Sequence, residues 1–476
     1  MARPEESKIQ QSAQISFEGG TNTALPPDRI AENQAVDIVN FRFDDQSSLL
    51  GREGTVARVD RISAATITNR ITSVFNHRNQ GIVTRNIFTT GSDIRTFAEG
   101  SIKGALTLPS NTFWMWKQYG NLSIGTNKGT GANANPVKVA GGVGNAAALA
   151  GSPPKAKYIE IWNDRVWLIG ALGSDNTLYG SALGNAEDWT TTGVAGRVII
   201  NIEPDDGDII TGIIAFRERL FIYKRNRIYT VQAIGGAFPT DASALSVELY
   251  AQGIGCVSAY SIQPVLDDVL YLSRNGVASL VASERVGDFT AALLSRNIQA
   301  IKNLAIFGGD PDLEIAAVVL PEHNQYWLMV PESFIFFPVG PPAPPLFDRD
   351  VTFVLDYRRI QEGLTRWTRY IGTAAAQVGH YNDGGLRLGG KVNGDGTTYV
   401  VSDYDVLNSP AIFVDNFNGT DAEVAINKKI VTKTYDFNAP FIRKDLQRYM
   451  ADLIGQGENV DTVVTDRKST RLNSSH

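Results

Sequence analysis

Apolar and polar residues alternate in short runs along most of the chain. Examples are NIFTTGSDIRTF (86–97), GNLSIGTNKG (120–129), DRVWLIGA (164–171), ERLFIYKRNRIYTVQ (218–232), DVLYLSRNGVASLVA (268–282), NQYWLMVP (324–331) and GGLRLGGKV (384–392). A period of two puts successive side chains on opposite faces, which predicts half-buried strands. Turn residues separate the runs. Asn275-Gly276 suits a tight hairpin turn, and Asn393, Gly394, Asp395 and Gly396 offer another. Helix is predicted sparsely. The best candidate is DFTAALLSRNIQAIKNL (288–304), with Asp288 as N-cap and Phe289, Leu293, Ala300 and Leu304 near one face. Residues 443–454 fit a strand or a helix.

The spacing of the runs says more than the runs do. Their central apolar residues are Leu122, Leu168, Leu220, Leu270, Trp327 and Leu386, at steps of 46, 52, 50, 57 and 59. Residues 220–231 and 270–281 align without a gap. A multi-stranded unit repeating every 40–50 residues or so is the signature of propeller blades. One blade cannot bury both of its faces, whereas a radial stack of about six covers them and leaves only short edges. The later, longer steps are read as insertions, among them the proline-rich FIFFPVGPPAPPLF (334–347), an exposed stiff loop. The expected fold is therefore all-β: a β-propeller of about six blades with an N-terminal extended arm and a truncated C-terminal β domain. The expected boundaries are 1–60 for the arm, 61–405 for the propeller and 406–465 for the C-terminal part. Residues 288–304 are expected to pack between blades.

Composition narrows the function classes. Hydrophobic residues make up 43% and charged residues 20% of 476, enough apolar content to bury a large core. The net charge of −6 argues against a dedicated nucleic-acid-binding domain. The single cysteine, Cys256, excludes an intramolecular disulfide and a cysteine-built zinc site. The four histidines, His77, His323, His380 and His476, are too dispersed to read as a metal motif. The start, MARPEESKIQQ, lacks a signal peptide's apolar stretch, and no run approaches the ~18 apolar residues of a membrane span. A soluble protein made in a cytoplasm is expected.

Motifs for chemistry are weak. Gly142, Gly144 and Ala147 form G-x-G-x-x-A, but the Ala-rich run ends at Gly151-Ser152-Pro153-Pro154, so a flexible loop is favoured over a dinucleotide site. Walker A, G-x-S-x-G and H-E-x-x-H strings are absent. The acid pairs Asp44-Asp45, Asp205-Asp206 and Asp267-Asp268 would point to opposite faces of a strand, unlike a glycosidase's facing carboxyls. They read as turn acids, and Asp395 is too little for a calcium site. Trp162, Trp167 and Trp327 sit in apolar runs and read as packing rather than a sugar or DNA groove. The basic group Arg217, Arg219, Lys224, Arg225 and Arg227 flanks one hairpin turn and reads as a solvated, pairing-resistant edge. No catalytic, cofactor-binding or metal residue is assigned, and no enzyme activity or cofactor is expected.

The last eleven residues, DRKSTRLNSSH (466–476), resemble the translation of a sequencing-adapter oligonucleotide in all positions. On that reading the native chain continues past Thr465 by another sequence. Asp466, Arg467, Lys468 and Arg471 contribute +2 to the total of −6, so residues 1–465 carry −8.

The opening SFEGGTNTALPPDRIAENQAVDIVNFRFDDQSSLLGREGTVAR (16–58) is distinctive. Phe17-Glu18-Gly19-Gly20, then Asn40 before an aromatic strand, then Gly51-Arg52-Glu53-Gly54, resembles the start of tail nozzle and hub proteins of short-tailed bacteriophages. That family includes tail tubular protein B and the packaged-DNA stabilisation proteins. The likeness continues in order through residues 159–189, 207–232, 253–280 and 426–449, nearly the whole chain. It implies a six-bladed propeller, six copies in a ring below the portal and adaptor, an axial channel for DNA exit and no catalytic residues. It also implies contacts with the tail adaptor and tail fibres, passage of genomic DNA without sequence-specific binding, and a place in the virion tail after assembly in the host bacterial cytoplasm. Residues 16–58 and the segment after the propeller are the expected ring contacts. The small cationic groups 217–227 and Arg358-Arg359 are expected to guide the strand within an otherwise acidic surface. Two features depart from the family: the incomplete C-terminal part and the loop Pro338–Pro345. The alternative is a propeller that binds or acts on carbohydrate. SALGNAEDW (181–189) only partly follows the sialidase S-x-D-x-G-x-T-W box. A cellular WD-type scaffold is disfavoured because its GH and WD signatures are missing.

Overall fold

The computed structural model describes residues 16–433, except 58–68, 70, 81, 111, 129–134, 235–240, 287–292, 305–314, 331–350, 372, 374–376, 381–385, 393–398, 405–413, 416–423 and 427. The proline-rich loop, the 393–396 turn with Asp395, residues 443–454, most of the C-terminal part and the adapter-like tail lie outside the described residues.

The chain is a β-propeller. Six antiparallel sheets follow one another as blades over residues 71–101, 114–148, 156–201, 210–252, 263–279 and 316–371. The first strand of each blade packs against the first strand, or the short turn preceding it, of the next, which sets these strands around the axis. A further sheet closes the circle. It comprises Gln377–His380, Leu386–Val392 and Tyr399–Tyr404, and its outer strand is Thr55–Ala57 from the N-terminal segment. Its first strand packs on the first strands of the sixth and first blades.

All six residues that set the sequence spacing lie on the second strand of their sheet, and the run 86–97 supplies parts of the second and third strands of the first blade. These second strands depart from half-burial. Arg165–Ala171 and Gln325–Val330 are buried at every position, because neighbouring blades cover both faces. Clusters of apolar side chains fill the wedges between blades. Leu220 and Ile222 pack toward the third blade, whereas Phe221 and Tyr223 pack toward the fifth.

That alternation corrects the gapless alignment of 220–231 with 270–281. In the fifth blade Val269 and Tyr271 face the fourth blade, while Leu270 and Leu272 face the sixth. Leu220 therefore corresponds to Val269, an offset of 49. The pairing agrees: Tyr223 opposes Ile228 and Ser273 opposes Gly276, so the two-residue turns are Arg225-Asn226 and Arg274-Asn275. Gly276 opens the next strand, with φ 132°. A one-residue slip exchanges the two faces of a strand.

Of the helix expected over 288–304, residues 288–292 lie outside the described residues, 293–298 are not helical, and only the end forms a short helix, Gln299–Leu304; another short helix, Leu280–Val286, precedes the segment. Between them, Leu293 bridges to Ala278, and the Leu294 amide donates to the Val277 carbonyl. The Ser295 hydroxyl also accepts from the Val277 amide, and the Trp367 indole donates to the Leu294 carbonyl. Among the described residues the fifth blade has three strands, and pairing along its outer edge outweighs local helix propensity at Leu293-Leu294.

The N-terminal segment extends the sixth blade. Ala35–Val39 lies beside Arg366–Ile371, in parallel at Val39 and Arg369, and Lys429–Thr432 pairs antiparallel on its other side.

Candidate functional site

The residues that carry the phage resemblance converge on the outer strand of the sixth blade. Asn40 has φ 59°, and its side-chain oxygen accepts from the Ile371 amide (2.9 Å) and from Arg52 Nε (3.0 Å). Arg52 is fully buried and donates further to the carbonyls of Glu53 and Ile371. Its guanidinium also lies over the Tyr370 ring. Gly20 has φ +67°, and a Cβ there would sit 2.7 Å from the Trp367 amide nitrogen. Only glycine tolerates both demands. On either side, Thr21 donates to the Trp367 carbonyl and Ala35 to the Gly20 carbonyl. Phe17-Glu18-Gly19-Gly20, Asn40 and Arg52 are thus parts of one clasp that holds residues 16–57 on the propeller.

Charge reinforces the clasp. Arg369 pairs with Asp37 at 2.6 Å. Asp356, buried, accepts from Arg366 (3.0 Å) and Arg358 (2.7 Å). Arg358 also reaches Asp45 (2.5 Å) and the Phe43 carbonyl. Arg359 pairs with Glu362 at 2.7 Å. The Arg358-Arg359 group is therefore committed to ion pairs.

The other basic group divides. Strand Arg219–Lys224 carries its members to opposite ends of the fourth blade, separated by roughly 17 Å at about 3.3 Å per residue. At one end Arg217 and Arg219 are exposed, and Arg217 donates to the Asp267 carbonyl at 2.5 Å. At the other, Lys224 is fully buried. Its Nζ donates to both Asp206 carboxylate oxygens (2.8 Å each) and to the Glu203 carbonyl (2.8 Å). Asp206 also receives Arg227 (2.9 Å), the Tyr229 hydroxyl (3.0 Å) and the Asp208 amide (3.0 Å). Burial alone would raise its carboxyl, but these donors prevail and hold it at about 2. Burial and the Asp206 charge push the Tyr229 phenol up to about 12.

The acid pairs are local fasteners. Asp44 accepts from the Gln46 and Ser48 amides in a turn. Asp268 accepts from the Ser279 hydroxyl and the Val281 amide, tying its strand to the helix that begins at Leu280. Gly142 and Gly144 lie in a loop followed by the strand Ala147–Ala148, so no helix offers its N-terminus to a phosphate. Trp162, Trp167 and Trp327 are buried between blades. Among the described residues, no group of three or more His, Cys, Asp or Glu side chains is arranged to hold a metal. No helix among them is long and apolar enough to cross a membrane.

The propeller axis holds a cavity of about 310 Å³, lined by Val74, Trp116, Lys117, Glu160, Gln263 and Ala317 among others. Lys117 and Glu160 join the second and third blades there, at 2.7 Å. This bore is far too small for a duplex, whose major groove alone is about 12 Å wide. Sequence patterning gave no sign of the pairs Lys117–Glu160, Arg85–Glu99 and Arg366–Asp356, whose members lie 43, 14 and 10 positions apart.

No protein-family profile and no curated protein matches the chain. Among solved structures, it is similar to PorZ, a bacterial surface component of the type-IX secretion system of Porphyromonas gingivalis. The identity is 10% and the TM-score 0.37, over 68% of this chain and 36% of that one. It is also similar to the Pan2 WD40 domain of Neurospora crassa, at 8% identity and TM-score 0.37, over 75% of this chain and 96% of that one. The chain spans about a third of the length of the PorZ protein.

Proposed function

We propose that this chain is a structural subunit of a short-tailed phage tail, a nozzle or hub ring through which genomic DNA is retained and ejected. The observation that carries the reading is the clasp. The scattered residues of the family-like opening fasten residues 16–57 to one strand, Gly20 at Arg366-Trp367 and Asn40 with Arg52 at Ile371. The propeller bore is closed to DNA, so in this reading the channel is enclosed by several copies, expected to be six, and runs between them. The net charge of −6 suits passage over binding, because tight duplex binding depends on cations that displace phosphate counterions. Lys224, Arg227, Arg358 and Arg359 already have carboxylate partners, which leaves Arg217 and Arg219, exposed at one end of the fourth blade, and the half-buried Arg225 at the other as the better-placed guides. The subunit acts in the virion tail, without a cofactor or catalysis, against the tail adaptor and fibres.

The test is the solution mass of the protein with and without its tail adaptor, together with duplex binding near physiological salt. A ring and weak, salt-sensitive DNA binding are expected. Nanomolar duplex affinity, or a monomer even with the adaptor present, would overturn the reading.

A further inference from the structure

We propose that His77 makes the seam between the first and second blades acid-sensitive, so that protonating its ring releases the loop 141–146 from the first blade. His77 lies on the first strand of the first blade, fully buried, with Nδ1 2.8 Å from the Ser123 hydroxyl of the second blade. Its Nε2 is buried and lacks a hydrogen-bond partner. The second blade closes tightly over that nitrogen: a Cβ on Gly141 would lie 2.3 Å from Nε2 and 2.4 Å from the Asn121 side-chain oxygen.

The charged neighbours decide the response. His77 and Arg85 are direct cross-strand partners, so their side chains share one face. Arg85 is buried and holds the loop by donating to the carbonyls of Ala140 (2.8 Å) and Gly144 (2.5 Å). Glu99 completes the group, accepting from Arg85 at 2.5 Å and from the Gly144 amide at 3.1 Å. The single Glu99 carboxylate is thus already matched to the Arg85 cation. Asn121, on the second blade, is the neighbouring acceptor for a protonated ring. It is uncharged and cannot balance a second cation. Protonation would place two like charges opposite each other on one sheet face, an arrangement that destabilises cross-strand pairs. Burial is the main opposition to that protonation; the Asn121 side chain favours it, and the Arg85 charge adds a lesser opposition. The least costly relief is to lift the 141–146 loop and admit water, because Gly141 lies against the ring and residues 142–145 are exposed.

Hydrogen–deuterium exchange of the full chain at about pH 7.5 and about pH 5, corrected for intrinsic exchange rates, tests this directly. Opening of the loop is expected to rise on the order of tenfold at the lower pH, with the fourth-blade strands unchanged. In His77→Gln the rise should vanish. Carbon-13 labelling of the histidine rings adds a measurement that needs no variant: the His77 signal should titrate below the ordinary histidine value of about 6.5. Equal exchange at both pH values, the same rise in His77→Gln, or a His77 ring that titrates at or above about 6.5 would each overturn the proposal.

Discussion

Removing the Asp206 carboxylate is expected to be far more damaging than removing the lysine it faces, and removing both should be milder than removing Asp206 alone. Lys224 Nζ is fully buried, and among the described residues its only charged partner is Asp206, 2.8 Å away. Asp206→Ala strands that ammonium beside one carbonyl, that of Glu203. Stranding a buried charge costs about 3–5 kcal/mol. Lys224→Met fills similar volume and leaves Asp206 with Arg227, Tyr229 and the Asp208 amide, a loss of about 1–2 kcal/mol. The double variant removes the stranded charge, so it should regain at least about 1 kcal/mol over Asp206→Ala, a coupling typical of residues in direct contact. Urea unfolding of the four proteins at neutral pH gives the cycle. Acid supplies an independent check. The Asp206 carboxyl is depressed from 3.8 to about 2, a shift that corresponds to about 2 kcal/mol. Its contribution is complete above the unfolded value, near pH 4, and fades as pH falls toward 2. Asp206→Ala should flatten that part of the acid profile. If Lys224 and Arg227 were instead reserved for DNA phosphates, Asp206→Ala would leave stability nearly unchanged and tighten duplex binding. A cost under about 1 kcal/mol, or a double variant no better than the single, would refute the structural assignment.

Gly20→Ala should lower stability by about 2–4 kcal/mol, because the added methyl meets the Trp367 and Arg366 backbone while φ stays positive. Limited proteolysis should then cut within residues 16–57 first, and unchanged protection would count against the clasp. Deleting residues 466–476 should leave the melting temperature unchanged, because on the adapter reading the tail has no evolved packing partner. A clear drop on deletion would show that the tail packs. No turnover of glycans or nucleic acids is expected, and hydrolysis abolished by one carboxylate substitution would favour the carbohydrate-active alternative.

The architecture was legible because blade spacing survives in the chain even when no blade resembles another closely. Leu122, Leu168, Leu220, Leu270, Trp327 and Leu386 all reached second strands, two of which, Arg165–Ala171 and Gln325–Val330, are buried at every position. Register was not legible to the same precision. A strand buried on both faces is apolar at every position, so Leu220 can be matched with Leu270 or with Val269, and only the partner blades distinguish the two. The helix over 288–304 failed for a similar reason. Its apolar spacing was genuine, but Leu293 and Leu294 were claimed by the outer edge of the fifth blade.

The basic residues show the same limit in the chemistry. Along the chain, Arg217 to Arg227 form one cluster. In the fold, a single strand of six residues separates an exposed pair from a buried lysine. Sequence proximity equates these cations, whereas a carboxylate from the preceding connection, Asp206, distinguishes them. The clasp is the converse case. Gly20, Asn40 and Arg52 are separated by twenty and twelve positions and were legible only as a resemblance. Their meeting at the strand 366–371 explains why a glycine, an asparagine and an arginine are needed at those positions. One must accept a positive φ against a neighbouring backbone, one must cap a strand end with its amide oxygen, and one must bring several donors into a buried site. The pattern that carried the functional reading is thus a pattern of backbone fastening.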